Sequence, residues 1–399
     1  MIMFLKTRRA PRGAGAALPL LLSLALAFAI TARTAAAALP TVDTTARQGI
    51  MIDYNTGAVL FAKNPDERMA PSSMSKMMTL YILFKHLKEG RIKMGDTLGV
   101  SEKAWRTGGS KMFVMVGSRV KVEDLIQGIA VQSGNDACVV VAEGLSGSEA
   151  AFAQEMNKTA KDLGLTNSHF VDASGLPDPQ QYMTARDLAT LARALIHDFP
   201  EYYHYFSEID FTYNGIKQGN RNPLLYKNDN VDGVKTGHTE VGGYGLTASA
   251  LRNGRRLILV LNGMSSVNER SRESERLLDW GFHEWNNYTL FKAGEKVTDA
   301  EVWLGAQATV PLVVSQDLVV TMPQTERDQM KVTASYDGPI PAPLPKGKTV
   351  GQVRVEAPDL PAVQAPLQTG DAVDRLGFFG RIGAALRSLV WSGAGEHKG

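Results

Sequence analysis

Along residues 73 to 88, apolar positions fall at Met77, Leu80, Tyr81, Phe84 and Leu87. Spacings of three and four predict a largely buried helix, with Gly90 placed to stop it. Upstream, GIMIDYNTGAVLFAKN (49–64) sets two β-rich runs around an Asn-Thr-Gly turn, the pattern of a hairpin. Residues 121–165 and 182–198 continue at helical spacing, with Gly, Asn, Asp and Pro between the runs. In YGLTASALRNGRRLILVLNG (244–263), Asn253-Gly254 separates two β-prone runs and predicts a tight hairpin; VDGVKTG just before it is expected to pair alongside, antiparallel. RSRESERLLDWGFHEW (270–285) reads as an amphipathic helix able to cover a sheet face. Strands at both ends with helices between them describe a layered α/β domain.

After about residue 293 the texture changes to short alternating strands, VTDAEVWLGAQATVPLVVSQDLVVTM and MKVTASY, with prolines crowded over 339–366. A small all-β domain is expected there, and no internal repeat is found. In the tail, VDRLGFFGRIGAALRSLVW places Leu376, Phe379, Ile382, Leu386, Leu389 and Val390 on one helical stripe, flanked by Arg381 and Arg387, with Arg375 inside the stripe near its start. Too short and too polar to span a bilayer, this segment is expected to lie on a membrane surface. Partial burial of six such side chains at about 1 kcal/mol each gives several kcal/mol, and each arginine adds roughly 1 kcal/mol beside anionic lipid. At the other end, a basic start, an apolar run of about fifteen residues and small-residue Ala-x-Ala choices predict a cleaved secretory signal peptide. The expected organisation is therefore a signal peptide over 1–38, a catalytic domain over 39–293, a β-rich domain over 294–366, and a linker with a membrane-anchor helix over 367–399.

Composition narrows the function. The 399 residues are 44% hydrophobic, enough for a sizeable core, and 43 basic against 41 acidic residues give a formal charge of +2. So small and dispersed a charge offers no footprint for nucleic acid, which is excluded as an expected partner. The single cysteine, Cys138, cannot form an intramolecular disulfide and reads as a small core residue. No Cys/His spacing fits zinc, HEWNN (283–287) lacks the second histidine of a zincin, and no Gly-x-Ser-x-Gly elbow occurs. Neither metal nor organic cofactor is expected.

Candidate chemistry sits at the mouth of the buried helix. Positions i and i+3 share a face, so the Lys76 amine can reach the Ser73 hydroxyl. A serine hydroxyl needs a base to become a nucleophile, and an amine held among Met77, Met78 and Leu80 is disfavoured as a cation, so Lys76 can be that base. The spacing alone is common: Ser118-Arg-Val-Lys121 repeats it, and Ser118 is read as the cap of the helix beginning near Val122. Ser133-Gly134-Asn135 interrupts an apolar stretch, although Ser266-Val267-Asn268 has the same form; Lys235-Thr236-Gly237 occurs once.

Ser-x-x-Lys, Ser-x-Asn and Lys-Thr-Gly in that order form the signature of serine penicillin-recognising enzymes. PSSMSKMMT, SGNDA, TARDLATLARALI, NVDGVKTGHT and RESERLLDWGF extend the likeness over nearly the whole mature chain, which resembles a low-molecular-mass penicillin-binding protein of the D-alanyl-D-alanine carboxypeptidase type. The resemblance implies a DD-peptidase/β-lactamase-like αβα domain, a β-rich stalk, and a surface helix at the periplasmic face of the inner membrane. Ser72 and Ser75 stand where relatives often carry Ala and Thr. By the same resemblance, Ser73 is the acylated nucleophile and Lys76 its base. Ser133 relays a proton to the leaving amine, Asn135 orients Lys76 and a substrate amide, and Lys235 lends positive charge. Gly134, Thr236, Gly237, His238 and Arg270 line the substrate: Thr236 and Arg270 on its terminal carboxylate, with Arg272 as competitor, and the backbone of Ser73 and His238 as the oxyanion hole.

The implied activity is removal of the terminal D-alanine from peptidoglycan stem peptides ending in D-Ala-D-Ala, with β-lactam antibiotics as acylating mimics. Three alternatives stand beside it. A β-lactamase would need a Glu-x-x-Leu-Asn loop, which is not found here. A DD-endopeptidase usually lacks both the trailing β domain and the His-Thr after Lys-Thr-Gly. A catalytically weak, wall-peptide-binding scaffold sits badly with three intact motifs.

Overall fold

In the computed structural model, residues 40–227, 230–378 and 380 are described. They form two compact units, Thr41–Trp285 and the residues from Asn286 onward. The division falls ahead of the expected boundary at 293, because the strand Trp285–Phe291 pairs with Leu318–Pro323 and puts Phe291 into the second unit's core.

The first unit is built on a five-stranded antiparallel sheet. From edge to edge its strands are Val59–Lys63, Gln48–Asp53, Arg255–Met264, Gly243–Arg252 and Val231–Thr239. Both sequence-predicted hairpins form. Asn253 and Gly254 both have positive φ, 51° and 78°, as a two-residue hairpin turn with right-handed strand twist requires. Alternation along Arg255–Met264 separates the two faces. Ile258 and Val260 join Ile50 and Ile52 in the large helical core, while Leu257 and Met51 meet Gly281 of the helix Val267–Glu284. Because both faces are covered, the central strands read as nearly continuous apolar runs rather than alternating ones.

Lys76–Lys88 is the central helix of the larger layer, with Met77, Met78, Leu80, Ile82, Leu83 and Phe84 fully buried. Burial on all sides explains why its apolar residues exceed a single stripe. Gly90, at φ +70°, accepts the left-handed turn that closes it. Val122–Ala130, Asn135–Ser146, Glu149–Asp162 and Ala185–Asp198 complete the layer. Side-chain caps start several of these helices, with Thr184 accepting from Asp187 N and Ser266 from Glu269 N. Ser118 does not cap as expected. Its hydroxyl donates to the Met115 carbonyl, and Lys121 occupies the start of the Val122–Ala130 helix, because a short strand, Arg119–Lys121, intervenes.

The second unit is all-β. Its six-stranded sheet runs Lys331–Tyr336, Thr349–Glu356, Val363–Thr369, Thr309–Val314, Lys296–Trp303 and Ile340–Pro341, around a core that includes Ala300, Val310, Leu312, Val353 and Leu367. The sheet passes the expected limit at 366: Leu367 is buried, and Val373 and Arg375 still bridge to Leu344 and Gly305. Leu376, assigned from sequence to the amphipathic stripe, donates its N–H to Leu304 of this unit instead. The remaining stripe residues and the expected signal peptide lie outside the described residues. Among those described, no helix is long and apolar enough to cross a membrane.

Candidate active site

Ser73 lies in a single 3-10 turn, Ser72–Ser75, that runs directly into the buried helix at Lys76, and neither it nor Ser75 makes a side-chain cap. The tighter turn brings positions three apart nearly into register. The Lys76 Nζ stands 2.7 Å from the Ser73 Oγ and 2.5 Å from the Ser174 carbonyl oxygen. Ser73 is partly buried, whereas Lys76 has no solvent exposure. Burial lowers the Lys76 ammonium from its ordinary 10.5 to about 8; Cys138 and Asp172 oppose the shift and Arg221 reinforces it. An amine of this kind is uncharged in a far larger fraction near neutral pH than an ordinary lysine, and in that form its lone pair is free for the serine proton.

The turn is packed from both sides. The Ser72 Oγ donates to Thr239 Oγ1 and the Ser75 Oγ to the Ser72 carbonyl, so these two serines tie the turn to the sheet edge and to itself. Gly237, in Val231–Thr239, lies against it: a Cβ there would come within 3.0 Å of the Pro71 carbonyl and 3.1 Å of the Ser72 Cβ. Lys235, two residues away on the same strand face, is buried beneath it. Its ammonium is held well below its ordinary value by burial first, then by Lys76, Arg221 and Arg270. Lys235 and Lys76 thus feel one another, and the third motif lies beside the first.

The second motif arrives from the helical side. Ser133 adopts φ 64°, an uncommon conformation for a non-glycine residue, and its buried hydroxyl has no protein partner. Gly134 is required because a Cβ would meet Asp136 Oδ1 at 2.9 Å and Met112 N at 3.1 Å. The Asn135 Nδ2 donates to the Gly108 carbonyl at 2.8 Å. In this structure the grip on Lys76 expected of Asn135 is taken by the Ser174 carbonyl.

Arg270 and Arg272, the two candidates for the terminal carboxylate, differ in burial. Arg272 is exposed, whereas Arg270 is buried, with its guanidinium 5.7 Å from the centre of the Tyr244 ring and its Nη2 donating to the Arg221 carbonyl. Its Nε has no partner, and burial ahead of all other causes lowers it to about 10. His238 is exposed and stacks on the other neighbour of that arginine, Tyr244, with ring centres 3.9 Å apart.

Five residues of the cleft were not singled out from sequence. Asp136 is fully buried and accepts from the N–H groups of Met112, Phe113, Val114 and Ala137, stapling the loop before Ser118 to the Ser133–Asn135 turn. Its only sequence signal is an acid in the first turn of a helix. Asp172 and Ser174 shape the loop facing Lys76, and Arg221 and Tyr244 surround Arg270. Cys138, one turn beyond Asn135, is fully buried, which pushes its thiol up to about 12. Among the described residues no group of three or more His, Cys, Asp or Glu could hold a metal ion.

A serine and a lysine three residues apart at the mouth of a buried helix, against the edge of an antiparallel sheet, define the class of serine hydrolases that use an amine where others use histidine. Comparison with known proteins narrows the class. A family model described as D-alanyl-D-alanine carboxypeptidase, peptidase S11, matches residues 32–266, and one described as penicillin-binding protein 5, C-terminal domain, matches residues 285–375. The chain belongs to the D-alanyl-D-alanine carboxypeptidase family. It is 39% identical to D-alanyl-D-alanine carboxypeptidase DacA of Haemophilus influenzae, over 89% of this chain and 92% of that protein. It is 41% identical to DacC of Escherichia coli, over 86% and 87%. The crystal structure of penicillin-binding protein 5 from Haemophilus influenzae superposes with a TM-score of 0.79 at 40% identity, covering 85% of this chain and all of that one.

Proposed function

We propose that this chain removes the terminal D-alanine from peptidoglycan stem peptides through an ester on Ser73. The observation that carries the reading is the buried Lys76 amine 2.7 Å from the Ser73 hydroxyl, shifted toward its uncharged form. The Ser73 Oγ attacks the carbonyl carbon of the penultimate D-alanine as its proton passes to Lys76. The resulting oxyanion is received by the backbone N–H groups of Ser73 and His238, where loss of one such donor typically costs a factor of roughly 10² to 10³. As the C–N bond breaks, the proton travels through Ser133 to the departing D-alanine amine. Water then attacks the ester, gives a proton back through Lys76, and releases the shortened peptide with Ser73 restored.

The basic side chains of Lys235, Arg221 and Arg270 suit a free terminal carboxylate, held by Thr236 and Arg270, with Gly134 and Gly237 leaving room for the peptide backbone and Asn135 on its amide. β-Lactams, whose strained amide carries a neighbouring carboxylate, fit the same site. Penicillin-binding protein D2 of Listeria monocytogenes, 29% identical with a TM-score of 0.56, is described in an ampicillin-bound form. The apolar N-terminal segment and the amphipathic tail support export and attachment to the outer, periplasmic face of the cytoplasmic membrane.

Purified protein should release D-alanine from a pentapeptide and be labelled by fluorescent penicillin. Ser73→Ala and Lys76→Ala should do neither; retention of either activity in Ser73→Ala sinks the mechanism.

A further inference from the structure

Lys76 is held on one side by a group that the three motifs do not contain. The Ser174 carbonyl accepts from its Nζ, and Ser174 is nearly fully buried. The loop is fixed by one carboxylate: Asp172 Oδ1 accepts from Ser174 N at 2.5 Å, Ser174 Oγ at 2.9 Å and Gly175 N at 2.6 Å. Ala173 is pinned as well, its carbonyl accepting from the Thr79 hydroxyl and its N–H donating to Glu149. Three donors on one oxygen hold the turn in which the Ser174 carbonyl faces the amine.

We propose that Asp172 is a positioning residue for the reaction at Ser73: it folds the turn that presents the Ser174 carbonyl to Lys76, and its charge stabilises the ammonium formed when Ser73 gives up its proton. The inference rests on the reading of Lys76 as the base. A neutral amine has two N–H groups and one lone pair. With one N–H committed to Ser174, the lone pair is left for Ser73, and the ammonium that follows keeps the same acceptor. Charge balance around Lys76 makes Asp172 matter. The helix Asn135–Ser146 brings Asp136 and the Cys138 thiol toward it, the segment before Pro223 brings Arg221, and the strand Val231–Thr239 brings Lys235. Asp136 already accepts four backbone N–H groups, so Asp172 is the carboxylate whose hydrogen bonds shape the lysine's own acceptor.

The test is the second-order rate of acylation by fluorescent penicillin, measured from about pH 5 to pH 10. In Asp172→Asn an oxygen still accepts from the turn but the charge is gone. The plateau should fall about tenfold, and the acid limb should move to lower pH by about half a unit or more, since loss of a neighbouring anion disfavours the ammonium. Asp172→Ser, whose hydroxyl can also accept in such a turn, makes the same comparison if Asn is poorly accommodated. Asp172→Glu, which keeps the charge, should leave the limb in place. An acid limb unmoved in a folded, charge-free variant overturns the proposal, because a purely structural turn would lower the plateau alone. Failure of the unaltered protein to acylate at any pH would instead overturn the role given to Ser73 and Lys76.

Discussion

Gly175 is seated against the backbone of Ser72 so closely that a Cβ on it would lie 2.0 Å from the Ser72 carbonyl oxygen, and its φ of +80° is one that side chains rarely adopt. The loop facing Lys76 and the turn carrying Ser73 therefore fit only with glycine between them. Gly175→Ala should cost about 3 kcal/mol or more of stability, from combined backbone strain and overlap. Acylation of Ser73 should fall at least about a hundredfold, because a misplacement of about 1 Å suffices for that. Thermal denaturation alongside penicillin labelling checks both; a variant with wild-type melting and labelling would show that the loop can shift freely.

Lys76 gives a pH dependence with a defined sign. Acylation needs the uncharged amine, so its rate should rise with pH around an apparent midpoint near 8. The same lysine opposes folding. Its ammonium titrates near 10.5 in the unfolded chain and about 8 when folded, so the penalty is fully present below about pH 8 and fades as pH rises toward 10.5. At about 1.4 kcal/mol per pH unit, that penalty is on the order of 3 kcal/mol. Lys76→Met should be inactive yet melt higher than the unaltered protein at pH 7, with the difference shrinking by pH 10. Equal differences at both pH values would contradict a lowered lysine.

Asp136 should be intolerant of conservative change. Both of its oxygens accept from backbone N–H groups, so Asn would turn an amide donor against donors it should receive. Asp136→Asn and Asp136→Ala are each expected to lose on the order of 3 kcal/mol, read as a lower urea midpoint. Labelling should be lost at temperatures where the variant is still folded, because the Ser133 turn loosens first.

Arg270 should act on binding rather than on the chemical step. Its guanidinium is buried, with Nε unpartnered. Arg270→Ala should raise the KM for a pentapeptide with a free C-terminal carboxylate by about 10- to 100-fold, the worth of a charge-assisted hydrogen bond, and change kcat much less. Arg270→Lys should recover part of the loss. A fall in kcat with KM unchanged would place the carboxylate elsewhere.

The sequence by itself determined the elements and the chemistry that repeats at fixed spacing. Periodicity located the buried helix, Asn253-Gly254 located the hairpin, and Ser73 and Lys76 could be paired because three residues along a helix are neighbours whatever surrounds them. Tertiary structure decided what depends on contacts between distant segments. Only packing of the Asp172–Gly175 loop onto the Ser72–Ser75 turn shows that a main-chain carbonyl, rather than Asn135, grips Lys76, and main-chain acceptors leave no mark in side-chain identity. Burial likewise separates Arg270 from Arg272, since two arginines on one helix differ only in the face that the fold covers. The second unit's edges moved for the same reason: Trp285–Phe291 and Leu367 belong with the β strands because partners far along the chain complete their hydrogen bonds and cover their side chains.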